Sequence, residues 1–376
     1  MEKSKIKVLV IDDSAIVRDV LSSYIQSQDD MELLGTAPDP YVARDKIVQL
    51  KPDVITLDIE MPRMDGLTFL DRLMHYWPIP VIIVSSITQK DNTTAIKAME
   101  LGAFDVVNKP SGSISVNEVK EAIVEKIRNA FYSKDQFLEK WKNFSELYLS
   151  QKEDRLKVKE KQSSQNNLSI KKSHSFESYL NKVSTTDRIV AIGSSTGGTV
   201  ALEFIFQKLP KMIPPILVVQ HMPPTFTYQF AKRLDEICQP KVKEAEDGEI
   251  IQKGTIYIAP GGYHMGVTRS GGLLKTSIFK GERVNFQIPA VDVLFKSIAE
   301  HSAKNTLAIL LTGMGKDGAQ GLLEIKKSGG YTIAQDEQSS IVWGMPKAAI
   351  DMGAASEILP LDKIDQSIIA FTPKEI

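Results

Sequence analysis

Residues 6–14 read Ile-Lys-Val-Leu-Val-Ile-Asp-Asp-Ser. The six residues before the acids are almost unbroken in apolar character, which marks a strand buried on both faces of a sheet. Asp12 and Asp13 end that strand, and Ser14 is placed to N-cap an amphipathic stretch over 15–27. The alternation then repeats. Strands are expected at 32–37, 53–58, 80–86 and 104–109, and helices at 39–50, 66–76, 91–101 and 116–131. Strands alternating with helices predict a parallel sheet covered on both sides. Such sheets carry their sites at the carboxyl ends of the strands, where Asp12, Asp13, Asp58, Ser85 and Lys109 all fall.

A second series begins at Arg188. Strand 188–193 is followed by a Gly-rich turn and a helix reaching about 208; strand 215–220 leads into His221 and a helix over 225–238. Short β-like pieces punctuated by Gly254, Gly261, Gly262, Gly271 and Gly272 span 241–279 and suggest hairpin structure. Helix 290–303, strand 306–312, helix 317–328, strand 331–335 and helix 345–352 follow. Between the two series the composition changes. Residues 134–150 place Phe137, Leu138, Trp141, Phe144, Leu147 and Tyr148 at helical spacing, and 151–175 are rich in Lys, Ser, Gln and Asn, as expected of a partly disordered linker.

With 376 residues, 42% apolar and 25% charged, the chain has material for two packed cores. A net charge of -1 gives no overall attraction to nucleic acid or to an anionic membrane surface. No apolar run approaches the ~18 residues of a membrane span, and the N-terminus enters a short strand directly, so neither membrane insertion nor a secretory signal is expected. The one cysteine, Cys238, excludes an internal disulfide and a Cys-based zinc cluster; it fits a packing residue in a reducing cytoplasm.

The first cluster has a definite chemistry. Three carboxylates at neighbouring strand ends repel one another unless a cation joins them, and oxygen-only ligands with room for water suit Mg²⁺. Such an ion neutralises phosphoryl oxygens while an Asp carboxylate attacks phosphorus. Ser85, with Ser86 as the neighbouring alternative, offers a hydroxyl to that group, and Lys109 a positive charge.

The second cluster is Ser195, His221 and Asp317. Ser195 lies in Gly193-Ser194-Ser195-Thr196-Gly197-Gly198, between a strand and a helix start whose free N–H groups suit developing negative charge. His221 ends the next strand, and Asp317 follows strand 306–312. If those strands are neighbours, the three side chains meet at one sheet edge in the roles of nucleophile, base and orienting acid. The Gly-rich turn is not the Gly-x-Ser-x-Gly elbow and equally suits a phosphate, so a dinucleotide site stands beside the hydrolase reading. That rival expects an acid at the end of the second strand, where this chain has Gln220 and His221. Ser194 competes with Ser195, and His264 either lines the cleft or is structural. Arg283 is a solvated charge or a contact to an acidic surface, and no His-Glu-x-x-His pattern supports catalytic zinc.

Residues 5–131 closely resemble the receiver domain of two-component response regulators, through Asp12-Asp13-Ser14, Asp58-x-x-Met61-Pro62-x-Met64-Asp65-Gly66 and Asn108-Lys109-Pro110. The resemblance implies Asp58 as phosphoacceptor, Asp12, Asp13, Asp58 and the Glu60 carbonyl as Mg²⁺ ligands, and Ser85 and Lys109 as the switch pair. Receivers often carry an aromatic residue where this chain has Val106, so the usual side-chain rotation is not carried over.

Residues 187–360 resemble the catalytic domain of the chemotaxis protein-glutamate methylesterases (the CheB family). The matching segments are Ala191–Thr199, Gln220–Pro224, Val242–Gly248, Ile258–Gly261, Val291–Phe295, Leu311–Gly318 and Gly344–Pro346. Two doubly wound α/β domains are thus implied: a flavodoxin-like receiver over 1–132 and a Rossmann-like methylesterase domain over 188–376. The linker over 133–187 is longer than is usual in that family. The resemblance also implies Ser195, His221 and Asp317 as triad, with the Met314 backbone N–H and the Thr196 hydroxyl in support. It implies no cofactor in the catalytic domain, methylated chemoreceptors as substrate, glutamine deamidation as a second activity, and a chemotaxis histidine kinase as phosphodonor. An unphosphorylated receiver would hold the enzyme down.

Overall fold

The computed structural model describes residues 5–86, 89–109, 116–142, 145, 173–180, 182 and 187–373. The chain divides into two compact units, Met1–Leu138 and Glu139–Ile376.

The first unit is a five-stranded sheet of β1 (Ile6–Ile11), β2 (Met31–Ala37), β3 (Val54–Asp58), β4 (Val81–Ser85) and β5 (Asp105–Asn108) in the order β2-β1-β3-β4-β5, every pair parallel. Strands β3 and β4 are buried at every residue, which is why they read as unbroken apolar runs. The connecting helices are α1 (Ala15–Gln26), α2 (Pro40–Leu50), α3 (Gly66–Tyr76), α4 (Gln89–Glu100) and α5 (Val116–Tyr132). Each of the first three starts on a polar cap. The side chains of Ser14, Asp39 and Asp65 accept backbone N–H groups of Val17, of Tyr41 and Val42, and of Thr68, and Pro40 opens α2. Gly66 is required for a steric reason: a Cβ there would sit 2.3 Å from the Asp58 carbonyl oxygen. The start of α3 is thereby held directly on the backbone that follows β3. The strand order reverses direction between β1 and β3, and such a switch point opens a crevice at their carboxyl ends.

The helical pattern expected beyond 134 is present over 134–142, and Phe137 is buried edge-on against Phe104 with centroids 5.0 Å apart. Phe144, Leu147, Tyr148 and the polar stretch 151–172 lie outside the described residues. Helix α6 (His174–Leu180) belongs to the second unit: its buried Phe176 packs on Tyr331, and the Tyr179 hydroxyl donates to the Thr306 carbonyl at 2.8 Å.

The second unit carries β6 (Ile189–Ser194), α7 (Gly198–Phe206), β7 (Ile216–Gln220), α8 (Phe226–Ile237), β8 (Lys241–Glu244) and β9 (Thr255–Ile258). There follow β10 (His264–Ser270), β11 (Leu273–Phe279), α9 (Val291–His301), β12 (Thr306–Leu310), α10 (Ala319–Lys327), β13 (Tyr331–Gln335), α11 (Met345–Asp351), β14 (Glu357–Leu359) and α12 (Leu361–Phe371). Seven strands form a parallel sheet in the order β14-β13-β12-β6-β7-β9-β8. The 241–279 region divides. Strands β8 and β9 join the parallel sheet, and only β10 and β11 form the antiparallel hairpin. Phe295 and Ile298 of α9 and Leu322 and Ile325 of α10 bury one face of the sheet against Ala191, Leu217 and Leu310. The elements that precede Ser195, His221 and Asp317 are β6, β7 and β12, and β6 lies between the other two.

Candidate active site and phosphorylation site

In the first unit, one carboxylate oxygen from each of Asp12, Asp13 and Asp58 lies within 4.8 Å of the others. Asp12 and Asp58 are buried and Asp13 is exposed. The Lys109 ammonium lies 3.0 Å from Asp12 Oδ2 and 2.7 Å from Asp58 Oδ2, and it is what meets those two buried oxygens. Burial pushes Asp58 up to about 6 against the opposing pull of Lys109, and burial likewise raises Asp12. Burial by itself would lower Lys109, but Asp58 and Asp12 outweigh it and hold the ammonium above its ordinary value. Three carboxylates face one ammonium, and all the convergent donors are oxygens; that set fits a small hard divalent cation. Ser85 is buried at the end of β4, with its carbonyl accepting the Lys109 N–H at 2.7 Å. Arg18, which no motif marks, donates to the carbonyls of both Asp12 and Asp13 at 2.8 Å and pins the turn that carries them.

In the second unit, His221 Nε2 lies 2.8 Å from Asp317 Oδ2, and both side chains are buried. Asp317 collects further donors. Oδ2 accepts the Val291 N–H at 2.6 Å, and Oδ1 accepts the Asp292 N–H at 3.1 Å and Asn285 Nδ2 at 2.8 Å. Val291 and Asp292 are the first residues of α9, so the carboxylate sits on a helix N-terminus, a favourable place for negative charge. Burial pushes the acid up, yet His221, Asn285 and the backbone donors together bring it below the ordinary carboxylate value.

Ser195 is the first residue past β6. Its N–H donates to the Thr312 carbonyl at 3.0 Å, and its carbonyl accepts Gln220 Nε2 at 2.9 Å and the Gly198 N–H at 2.7 Å. The close approach of Gln220 excludes any side chain at Gly198, where a Cβ would fall 2.2 Å from Gln220 Oε1. Thr196 is buried, and its carbonyl accepts the Thr312 hydroxyl at 2.9 Å. Met314 lies in the turn after β12, beside Gly344. Ser194 is buried with its hydroxyl donated to Gln220 Oε1 at 2.7 Å. His264 spends both ring nitrogens on backbone: Nδ1 accepts the Ala290 N–H at 3.3 Å, and Nε2 donates to the Glu282 carbonyl at 2.8 Å. That is a structural staple. Asn285 was not singled out from the sequence. Asp292 stood only inside a matching segment.

A phosphoacceptor-type acid cluster on one parallel sheet and a Ser/His/Asp edge on another define a class: a receiver joined to a hydrolase domain. Residues 8–123 match the response regulator receiver domain, and residues 190–368 match the CheB methylesterase domain. A relative in Syntrophus aciditrophicus (strain SB), the protein-glutamate methylesterase/protein-glutamine glutaminase 2, is 48% identical over 366 residues, 97% of this chain and 99% of its own length. The protein-glutamate methylesterase/protein-glutamine glutaminase of Sulfurimonas denitrificans is 45% identical over 96% of this chain and 97% of its own. Among solved structures, the Thermotoga maritima CheB methylesterase catalytic domain is 45% identical, spans 49% of this chain and 98% of its own, and has a TM-score of 0.48. The chain belongs to the CheB methylesterase family. Among the described residues no helix is long and apolar enough to cross a membrane.

Proposed function

We propose that this chain hydrolyses the γ-methyl esters of glutamate side chains on chemoreceptors, releasing methanol, and that phosphorylation of Asp58 raises the rate. The observation that carries the chemical part is the 2.8 Å contact between His221 Nε2 and Asp317, one strand away from Ser195 at the same sheet edge. The Asp317 carboxylate accepts the Nε2 proton, so Nδ1 is the imidazole nitrogen left to act as base. Ser195 Oγ attacks the ester carbonyl as its proton passes to His221 Nδ1. The tetrahedral intermediate collapses with that proton transferred to the departing methoxide. Water then attacks the acyl-enzyme, His221 again taking the proton, and glutamate and Ser195 are regenerated. The Met314 N–H and the Thr196 hydroxyl are the proposed supports for the oxyanion. A primary amide passes through the same kind of intermediate, so glutamine deamidation follows from the same machinery; the relatives' names carry both activities.

In the regulatory half, the Asp58 carboxylate takes the phosphoryl group from a chemotaxis histidine kinase. Asp12, Asp13, Asp58 and the Glu60 carbonyl would hold Mg²⁺, which supplies charge neutralisation to the phosphoryl oxygens. Ser85 and Lys109 are the proposed contacts to the phosphorylated state. Val106, buried in β5, takes no part in an aromatic rotation. The working division is a receiver over 1–132, a linker over 133–187 and a catalytic domain over 188–376, in a cytoplasmic protein. The test is Asp58→Ala: basal methanol release should persist and stimulation by a small phosphodonor with Mg²⁺ should vanish. Equal stimulation of the variant would remove Asp58 from the switch.

A further inference from the structure

We propose that Asn285 is a positioning residue of the triad, holding the Asp317 carboxylate in the orientation that meets His221. This inference rests on the roles given above to Ser195, His221 and Asp317.

Residues 284–287 form a tight two-residue turn. The Val284 N–H donates to the Gln287 carbonyl at 3.1 Å, and the Gln287 N–H returns to Val284 at 2.9 Å. Both central residues are left-handed, with φ 51° at Asn285 and 65° at Phe286. Asparagine tolerates that region, whereas for a bulky residue it is strained. Phe286 is 79% exposed, so burial of its side chain does not offset the strain. The contacts that hold the turn lie on the other residue. Asn285 Nδ2 donates to Asp317 Oδ1 at 2.8 Å and to Asp292 Oδ2 at 2.9 Å. An amide nitrogen carries two hydrogens, and these two bonds use both. Flipping the amide would turn its carbonyl oxygen onto two acids, so its orientation is fixed.

The charge arrangement gives the bond a further purpose. Asp292 is buried beside Asp317, and burial first, then the neighbouring Asp317 charge, raise its pKa. Its other oxygen accepts the Gly321 N–H at 2.7 Å. The Asn285 amide is the one donor shared by the two acids, and its loss leaves Asp317 Oδ1 and Asp292 Oδ2 facing each other with no hydrogen between them. Apart from His221, Asn285 is the only side chain donating to Asp317 among the described residues. Asp317 is therefore aimed by two α9 backbone N–H groups and one turn amide.

The experiment compares Asn285→Gly with Asn285→Asp in the full chain. Glycine keeps the left-handed turn comfortable and removes the amide; aspartate keeps the size and adds a like charge. Initial rates of methanol release from methylated receptor membranes are measured over substrate concentration, with thermal unfolding alongside. Loss of a hydrogen bond to a buried charge should lower kcat about tenfold or more with KM unchanged. Aspartate, which sets a third carboxylate against Asp292 and Asp317, should be the worse variant, with KM again at the wild-type value. Wild-type kcat in Asn285→Gly, or a loss that falls on KM and not on kcat, would overturn the role. Wild type and Ser195→Ala run beside them. A wild type that releases no methanol sinks the proposed function itself; an active wild type with an equally active glycine variant sinks only the role of Asn285.

Discussion

The Ser194 hydroxyl donates to Gln220 Oε1 at 2.7 Å, and Ser194 is fully buried. The same Gln220 uses its Nε2 to hold the carbonyl of Ser195 at 2.9 Å. One glutamine thus occupies the side chain of the first serine and fixes the backbone of the second. Ser194 therefore has its hydroxyl engaged in the wall of the site, which supports Ser195, past the strand end, as the proposed nucleophile.

Ser194→Ala should keep methanol release within a few-fold of wild type while leaving Gln220 Oε1 without its donor. A buried acceptor left unpaired costs about 1–3 kcal/mol. Thermal unfolding and initial rates measured together check this; loss of activity at unchanged melting temperature would contradict it.

Gly198→Ala sets two effects against each other. Alanine gains about 0.5–1 kcal/mol within a helix relative to glycine. The new Cβ, however, would stand 2.2 Å from Gln220 Oε1 and 2.7 Å from Ser194 Cβ, both fixed by their mutual bond. Overpacking of that kind costs about 1–3 kcal/mol. The steric term wins, so the variant should melt lower and lose activity as Gln220 is displaced from the Ser195 carbonyl. Denaturant unfolding with parallel rates checks both.

Asp317→Asn removes the negative charge opposite His221 and sets an NH2 group against two of the four donors that the carboxylate oxygens now accept. In the serine-protease triad the equivalent change costs about 10⁴ in kcat. A loss on the order of 10³–10⁴, without matching change in KM, is expected from initial-rate kinetics.

Burial raises Asp58 from its ordinary 3.8 to about 6. Between those values the folded unit retains a proton that the unfolded chain has released. The stabilising contribution is therefore full below the unfolded value and is lost as pH rises through the folded one. Mg²⁺ needs the ionised carboxylate, so its binding strengthens over the same interval. Millimolar Mg²⁺ should raise the melting temperature of the receiver transition clearly at about pH 8 and much less at about pH 5. An equal shift at both would mean that Asp58 is not a ligand.

The apolar runs of β1, β3 and β4 were legible because those strands are almost wholly buried, and Asp12, Asp58 and Ser85 stood out as the polar points where the runs stop. The proposed triad residues stand out in the sequence because each follows a strand within a short glycine-rich or proline-rich segment. The choice of Nε2 as the nitrogen facing Asp317 does not, since it depends on ring orientation. Nor does Asn285: in sequence it is one polar residue of a loop, and its partners are brought to it by the start of α9 and by a turn after β12. Strand β14 is three residues long, too short for a pattern, and α12 behind it buries Leu361, Ile364, Ile368 and Phe371 at helical spacing.

The most direct measurement is methanol release from methylated receptor membranes by wild type and Ser195→Ala, each with and without a small phosphodonor and Mg²⁺. The expected result is release by wild type, more with phosphodonor, and a loss in the variant that can approach 10⁶-fold, on the order seen when a serine nucleophile is removed. Release by Ser195→Ala at the wild-type rate would contradict the assignment of the nucleophile.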